Sequence, residues 1–201
     1  KVSLTPNGSS RIDFLTIVYN SSYMPSMIRN DSTKEAIIFR YSATPTGSIT
    51  TSGTKYLRQI DYAHGNSGVT AANWTNFYNN ASSKTNITLD ATASYSYDAE
   101  GRIAVAKDQL SGYEVRYTYS SAGKVTAIEE YAGSTAGQKI GITYYSGYTE
   151  IRNSGSDDVY GNSDDLISCY AFDENGRSVS IYSTDASHTQ IYGATVGEYE
   201  S

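Results

Sequence analysis

Apolar and polar side chains alternate without interruption from residue 113 to residue 119. One set of alternate positions carries aromatic or apolar side chains: Tyr113, Val115, Tyr117 and Tyr119. The other set carries Glu114, Arg116 and Thr118. This period of two predicts a β-strand with one covered face and one wetter face. The tetrad 120–123 ends in Gly123, which supplies the positive φ of a tight hairpin, and residues 125–128 predict the return strand.

Shorter versions of this pattern predict hairpins along the whole chain. The paired segments are 14–19 with 24–28, 37–41 with 57–62, 95–97 with 103–105, 139–144 with 148–151, and 166–172 with 179–182. Leu57 and Ile60 repeat the three-residue spacing of Val125 and Ile128, which predicts a bulge or twist at the start of the return strand.

The predicted fold class is all-β, with tandem antiparallel β-hairpins that form a curled, open sheet. We expect one domain over residues 1–201, with degenerate repeats in 1–90 and clear repeats in 91–201. The pattern predicts no helix. It assigns no fold to residues 65–90, where 74–78 resemble a degenerate strand.

One short motif occurs three times. Each copy has two aromatics separated by one residue, a polar tetrad that ends in glycine, and then a basic residue. The motif residues are Tyr95, Tyr97, Asp98, Gly101 and Arg102, then Tyr117, Tyr119 and Gly123, and finally Tyr170, Phe172, Asp173, Gly176 and Arg177. The first two copies are 22 residues apart, a period typical of tandem repeats. We expect the aspartates to accept hydrogen bonds from turn amides as a hairpin clamp, and ligand contact is the alternative.

These copies resemble the YD repeats of the Rhs family, most clearly over residues 95–192. The Tyr-Asp pair of that family is intact at Tyr97-Asp98 and nearly so at Phe172-Asp173, while the residue after Tyr119 is not aspartate. The resemblance implies a long, curling β-sheet that forms the wall of a hollow shell. Such shells occur in wall-associated or secreted bacterial Rhs proteins, in Tc-toxin cocoons and in teneurins.

Further expectations follow from the same resemblance. It implies an extracellular or cell-wall location, a toxin cargo in some members, and carbohydrate binding in others. We expect the chain to be an excerpt of a larger protein, so that its first partner is the remainder of the parent repeat protein.

Composition narrows the classes of function. A net charge of −6 and a pI near 4.9 argue against nucleic-acid binding, because phosphate contacts need clustered Lys and Arg. No apolar run of about 18 residues occurs, so no membrane span is predicted. The single cysteine, Cys169, rules out an intrachain disulfide. The 20 tyrosines suit a half-buried sheet surface, and the alternative is a sugar- or partner-binding face.

Two segments outside the motif are candidate binding sites. Trp74, Phe77 and Tyr78 form the preferred carbohydrate-binding patch, and core packing is the alternative for them. The loop 154–165 concentrates oxygen ligands that suit Ca²⁺: Asp157, Asp158, Asn162, Asp164 and Asp165. Its spacing departs from the EF-hand pattern, and the alternative is a solvated loop of turn-forming side chains.

Catalytic motifs are missing from the sequence. A Cys-His pair would need Cys169 with His64 or His188, and both histidines lie in polar, turn-like segments. Nothing singles out two acids, for example Glu129 with another carboxylate, as a glycosidase pair. We therefore expect a chain that is not an enzyme.

Two functions stay open on the sequence alone. A structural scaffold or shell segment buries the motif aromatics, whereas a carbohydrate- or cell-surface-binding module leaves a strip of aromatics exposed beside polar groups. An open sheet also leaves a strand edge unpaired, so edge-mediated homodimers are a further expectation.

Overall fold

The computed structural model describes residues 2–4 and 12–197, with side chains from Leu15 onward. Contacts group the chain into two compact units, Lys1–Ser111 and Gly112–Ser201. Within each unit the strands are antiparallel and pair in chain order. The prediction of an all-β chain, built from tandem hairpins in an open antiparallel sheet, is confirmed.

Among the residues that the structure describes, the first unit contains seven strands and one helix. They are β1 (Val2–Leu4), β2 (Ile12–Tyr19), β3 (Pro25–Asn30), β4 (Glu35–Ser42), β5 (Tyr56–Gly65), α1 (Ala71–Asn79), β6 (Ile87–Tyr97) and β7 (Ile103–Asp108). The second unit, which the structure describes up to residue 197, contains seven strands in that range. They are β8 (Tyr113–Tyr119), β9 (Val125–Ala132), β10 (Thr135–Tyr144), β11 (Tyr148–Asn153), β12 (Leu166–Phe172), β13 (Ser178–Asp185) and β14 (Ile191–Val196).

One kind of four-residue turn recurs between the strands. In the three motif copies, the glycine amide donates to the carbonyl three residues earlier: Gly101 to Asp98 (3.1 Å), Gly123 to Ser120 (2.9 Å) and Gly176 to Asp173 (3.0 Å). The three glycines have φ angles of 83°, 79° and 77°. The β2–β3 turn has the same form, because Tyr23 at φ 61° donates to the Asn20 carbonyl at 3.0 Å. The repeat is therefore a turn geometry that also occurs in a hairpin without the glycine.

A bulge follows near the start of five return strands. The register skips one residue at Ser26, Arg58, Ala104, Thr126 and Val179. This agrees with the bulge that the spacing of Leu57 and Ile60 predicts. An extra residue on one strand increases the local twist, and its fixed place after the turn sets the register of the pair.

Helix α1 corrects the prediction that the chain has no helix and that residues 74–78 form a degenerate strand. Thr70 caps it, because the Asn73 amide donates to Thr70 Oγ1 at 3.2 Å and the Thr70 amide donates to Asn73 Oδ1 at 2.8 Å. Trp74 and Phe77 lie three residues apart on one face and are buried. Asn, Thr and aromatic residues have low helix propensity, so tertiary burial is what stabilises this segment. No helix in the described part of the chain is long and apolar enough to cross a bilayer.

The main core of the first unit lies between α1 and one face of its sheet. Its buried members are Met27, Ala36, Ile38, Ala63, Trp74, Phe77 and Ile87. Apolar burial of this kind contributes about 25 cal/mol per Å² removed from water. The helix therefore completes the core that strands β3 to β6 begin.

A buried ion pair joins the end of α1 to the sheet. Arg40 Nε donates to Asp61 Oδ2 at 2.9 Å, and neither side chain is more than 5% exposed. The other guanidinium nitrogens donate to the carbonyls of Phe77, at 2.8 Å, and Tyr78, which belong to the last turn of the helix. Asp61 Oδ1 accepts from Thr92 Oγ1 at 2.9 Å. The pair therefore satisfies helix carbonyls that have no partner within the helix.

We expect Asp61→Ala to lower the free energy of unfolding by about 3–5 kcal/mol, because it leaves the Arg40 guanidinium buried without its counter-charge. Urea denaturation followed by tryptophan fluorescence measures this, since the single tryptophan, Trp74, packs in the same core.

The control is Glu100→Ala, which removes a carboxylate that is 65% exposed and paired with Arg102, itself 29% exposed. We expect it to cost no more than about 1 kcal/mol. Equal, small losses in both variants would contradict the importance of the buried pair.

We expect Gly176→Ala to destabilise the protein by about 1–2 kcal/mol, because an L-residue is strained in the left-handed region. A Cβ at Gly176 would meet nothing within 4 Å, so the cost comes from the backbone alone. Gly193→Ala is the control, because that site is equally open and lacks a positive φ. Thermal denaturation compares the two, and an equal melting temperature for both variants would show that the turn tolerates alanine.

Candidate functional site

The polar residues of the motif form hydrogen bonds inside their own turns. Asp98 accepts from the Arg102 amide at 2.9 Å and from Arg102 Nε at 2.6 Å. Asp173 accepts from the Arg177 amide at 2.9 Å and from Arg177 Nε at 2.7 Å. Ser120 takes the place of the aspartate in the second copy, where its hydroxyl accepts the equivalent amide at 3.3 Å. The Arg177 amide, and then its guanidinium, hold the pKa of Asp173 below its usual value of 3.8. These contacts are those of the hairpin clamp rather than of a ligand site.

The aromatic residues of the motif lie partly covered on the sheet surface. Phe172 is 38% exposed. The other five aromatic residues are half-buried: Tyr95, Tyr97, Tyr117, Tyr119 and Tyr170. Tyr97 packs edge-on against Tyr56 with ring centroids 5.1 Å apart, and its hydroxyl donates to the Leu57 carbonyl at 2.7 Å. The exposure of these rings is intermediate between the two expectations. A scaffold predicts a fully buried aromatic face, and a binding module predicts an exposed strip.

The structure corrects the interpretation of Trp74, Phe77 and Tyr78 as a carbohydrate-binding patch. Trp74 is 2% exposed and Phe77 is fully buried in the core. Tyr78 is half-buried, and its hydroxyl donates to the Thr51 carbonyl at 3.1 Å. A ring that stacks on a sugar must expose a face, so core packing is the correct alternative for Trp74 and Phe77.

The acidic side chains of loop 154–165 are used mostly for turn hydrogen bonds. Asp157 accepts from the Val159 amide (2.9 Å), Asp164 from the Ser156 amide (3.0 Å), Asp165 from the Gly161 amide (2.8 Å), and Asp157 also from Asn162 Nδ2 (2.8 Å). Asp158 is exposed and has a φ of 60°. In the part of the chain that the structure describes, these aspartates do not form a cluster of three converging ligand atoms. Calcium binding by this loop stays a prediction.

A polar cavity of about 260 Å³ lies on the second unit, where β10, β11 and β12 run side by side. Its polar lining includes Thr143, Tyr145, Glu150, Arg152, Tyr160 and His188. Tyr160 comes from loop 154–165 and approaches Gly141 so closely that a Cβ there would overlap its hydroxyl. The glycine in β10 is therefore what lets the tyrosine ring lie against the strand.

Two of the lining residues, Glu150 and His188, lie close to the buried Cys169, so that three metal-ligating or nucleophilic side chains meet beside this cavity. Glu150 of β11 pairs directly with Cys169 of β12 in the antiparallel register. His188 belongs to the turn between β13 and β14, and its Nε2 lies 3.6 Å from Glu150 Oε1. The ligand atoms of Glu150, Cys169 and His188 all lie within 4.8 Å of one another.

Sequence reasoning missed this cluster because its members are separated along the chain and share no motif. The signal in the sequence was the presence of a cysteine, Cys169, and a histidine, His188. The sequence offered them only as a Cys-His pair that no motif supported. The other histidine, His64, lies elsewhere and contacts Asp90 at 2.8 Å.

The cysteine of the cluster is not an activated nucleophile. Cys169 is fully buried, and burial raises the pKa of its thiol above the usual value of 9.0, with the charge of Glu150 as a further cause. The thiol is therefore protonated at neutral pH, whereas a catalytic cysteine needs a lowered pKa and access to substrate.

Comparisons with known proteins do not identify the chain. No family model matches it, and no curated protein matches it. A solved structure with partial likeness is a protein of unknown function from Bacteroides fragilis NCTC 9343. That protein is 14% identical, and the alignment covers 80% of this chain and 91% of that chain at a TM-score of 0.25. A likeness at this level carries no argument about fold or function.

We expect Asp173→Asn to lower the melting temperature at neutral pH and to lose this effect in acid. Because the folded-state pKa of Asp173 is lowered, its charge stabilises the fold above its usual value of 3.8, and this stabilisation disappears as the pH falls through the folded-state value. Glu174→Gln is the control, since it removes an exposed charge one residue away. Melting curves between about pH 7 and pH 2 test this, and a difference that does not change with pH would refute the charged clamp.

Proposed function

We propose that the chain is a structural β-repeat segment without catalytic activity of its own. The observation that supports this best is the recurrence of one turn with one bulge, at four hairpins in two units. Repeat units of this kind stack to build an extended surface, and each contacts mainly its neighbours.

The use of the motif residues supports the same proposal. Asp98 and Asp173 are engaged by the arginines four residues later, so that the most repetitive polar positions are occupied within the fold. A residue that repeats in order to bind a ligand would instead direct its polar atoms outward. The Tyr-Asp turn resembles the repeats of the Rhs/YD-repeat proteins, and we propose the same role in a shell wall.

An extracellular or cell-wall location in a larger protein belongs to this proposal.

All six residues of β14 are exposed, and within residues 12–197 this strand pairs only with β13. Such an edge can receive the next strand of a longer repeat protein or the same edge of a second copy. Sedimentation velocity at rising protein concentration measures pairing between copies.

Carbohydrate binding is the second candidate, and the cavity on β10 to β12 is the observation that favours it. Tyr145 and Tyr160 are 47% and 39% exposed at that cavity, beside the charged groups of Glu150 and Arg152. Aromatic faces next to hydrogen-bonding groups are the usual means of holding a sugar. This site replaces the patch around Trp74 as the place where a sugar would bind.

One glycan-array experiment distinguishes the two candidates. If the chain is a structural segment, the folded wild-type chain should bind no glycan. The binding module predicts a hit that Tyr160→Ala abolishes and Tyr192→Ala preserves, because Tyr192 is an exposed tyrosine of β14 that does not line the cavity. Circular dichroism of each variant establishes that it is folded.

A glycan hit with this pattern would overturn the purely structural role. A hit that both tyrosine variants preserve would contradict binding at the cavity and place the sugar on another surface.

A further inference from the structure

Strand register and one turn bring together three side chains with different ligand chemistry. Glu150 and Cys169 are direct cross-strand partners of β11 and β12, so their side chains lie on the same face. His188 reaches the same place from the β13–β14 turn. Together they offer one carboxylate oxygen, one sulfur and one imidazole nitrogen, all within 4.8 Å of one another.

The spacing of these atoms suits a small tetrahedral metal ion. Zinc bonds to oxygen, nitrogen and sulfur are about 2.0–2.3 Å long, which places tetrahedral ligand atoms about 3.3–3.8 Å apart. Nε2 of His188 and Oε1 of Glu150 are 3.6 Å apart. The sulfur of Cys169 lies within 4.8 Å of both atoms, so a shift of roughly 1 Å brings it to the third corner of the tetrahedron.

The charges around the cluster favour a cation. Arg152 also lines the cavity, but its Nε lies 3.5 Å from Asp165 Oδ2 and its Nη2 donates to the Ala186 carbonyl at 2.9 Å. In the part of the chain that the structure describes, the ion-pair partner of Glu150 is His188. The Glu150 side chain is 15% exposed, and among the described residues no lysine or arginine lies within ion-pair distance of this mostly buried carboxylate.

Neighbouring hydroxyl groups hold two of the ligands in place. Tyr145 donates to Glu150 Oε2 at 3.4 Å, which leaves Oε1 directed at the histidine. Tyr182 and Cys169 share a side-chain hydrogen bond. Such outer contacts orient metal ligands in established sites.

The backbone at His188 is also unusual. Its φ is 59°, in the region that glycine occupies in the motif turns. Asp185 holds this turn, because it accepts from the amides of Thr189 and Gln190 at 2.8 and 2.7 Å. This turn therefore fixes the position from which the His188 side chain extends.

We propose that Glu150, Cys169 and His188 bind a divalent transition-metal ion of the zinc type, with a fourth coordination position facing the cavity. The mixed oxygen, nitrogen and sulfur set favours zinc over the hard ion calcium, which prefers oxygen ligands. Coordination by Cys169 releases the thiol proton to solvent. The proposal goes beyond the structural role of the repeats and does not depend on it.

Isothermal titration calorimetry of the full chain with Zn²⁺ tests the proposal, together with the absorption spectrum after Co²⁺ addition. We expect one metal ion per chain and a thiolate-to-Co²⁺ charge-transfer band. Cys169→Ser should remove this band and weaken Zn²⁺ binding at least about tenfold. Excess Ca²⁺ should leave the thiolate-to-Co²⁺ band unchanged, because calcium prefers oxygen ligands.

His188→Gly is the more informative variant, because glycine suits a φ of 59° and this position is exposed. We expect it to melt no lower than the wild type in the absence of metal and still to lose Zn²⁺ binding. His64→Gln is the matched control, since it removes the other histidine and should leave the affinity unchanged. No Zn²⁺ binding by the wild type, or unchanged binding by folded His188→Gly, would overturn the site.

Discussion

The register of neighbouring antiparallel strands is the constraint on which the rest of this structure depends. A slip of one residue would move every side chain of a strand to the opposite face. The repeated turn and the bulge behind it hold this register at several hairpins. In the second unit the register places Glu150 opposite Cys169, and Cys169 opposite Tyr182. In the first unit it places Ile38 opposite Asp61, and Asp61 opposite Thr92.

An open sheet must also cover the apolar positions that its register creates, and the two units do so with different elements. In the first unit α1 covers one face, and the Arg40–Asp61 pair ties the carbonyl end of the helix to that face. In the second unit Tyr160 of loop 154–165 lies over Gly141. The helix completes an apolar core, whereas the loop borders a cavity with a charged lining. The candidate site therefore lies in the second unit, where the loop leaves a cavity with charged side chains open to solvent.

The division of roles among the polar residues follows from the same arrangement. Motif residues such as Asp173 and Arg177 repeat because the same turn contacts occur again at Asp98 and Arg102. Glu150, Cys169 and His188 do not repeat, because they meet only where one particular pair of strands adjoins one particular turn. Repetition therefore marks the structural positions of this chain, and the candidate chemistry lies at positions that occur once.

The amino-acid sequence alone determined the local features of the protein. Alternation predicts the strands, glycine at the end of the tetrad predicts the turn, and the spacing after it predicts the bulge, because each depends on residues close together in the chain. Only the tertiary structure decided the helix over residues 71–79, because burial overrides the weak helix propensity of this segment. It also decided the Arg40–Asp61 pair, whose members are 21 residues apart. It also decided the convergence of Glu150, Cys169 and His188. The physical reason is that contacts across strands depend on register and loop path, which no pattern within a single strand specifies.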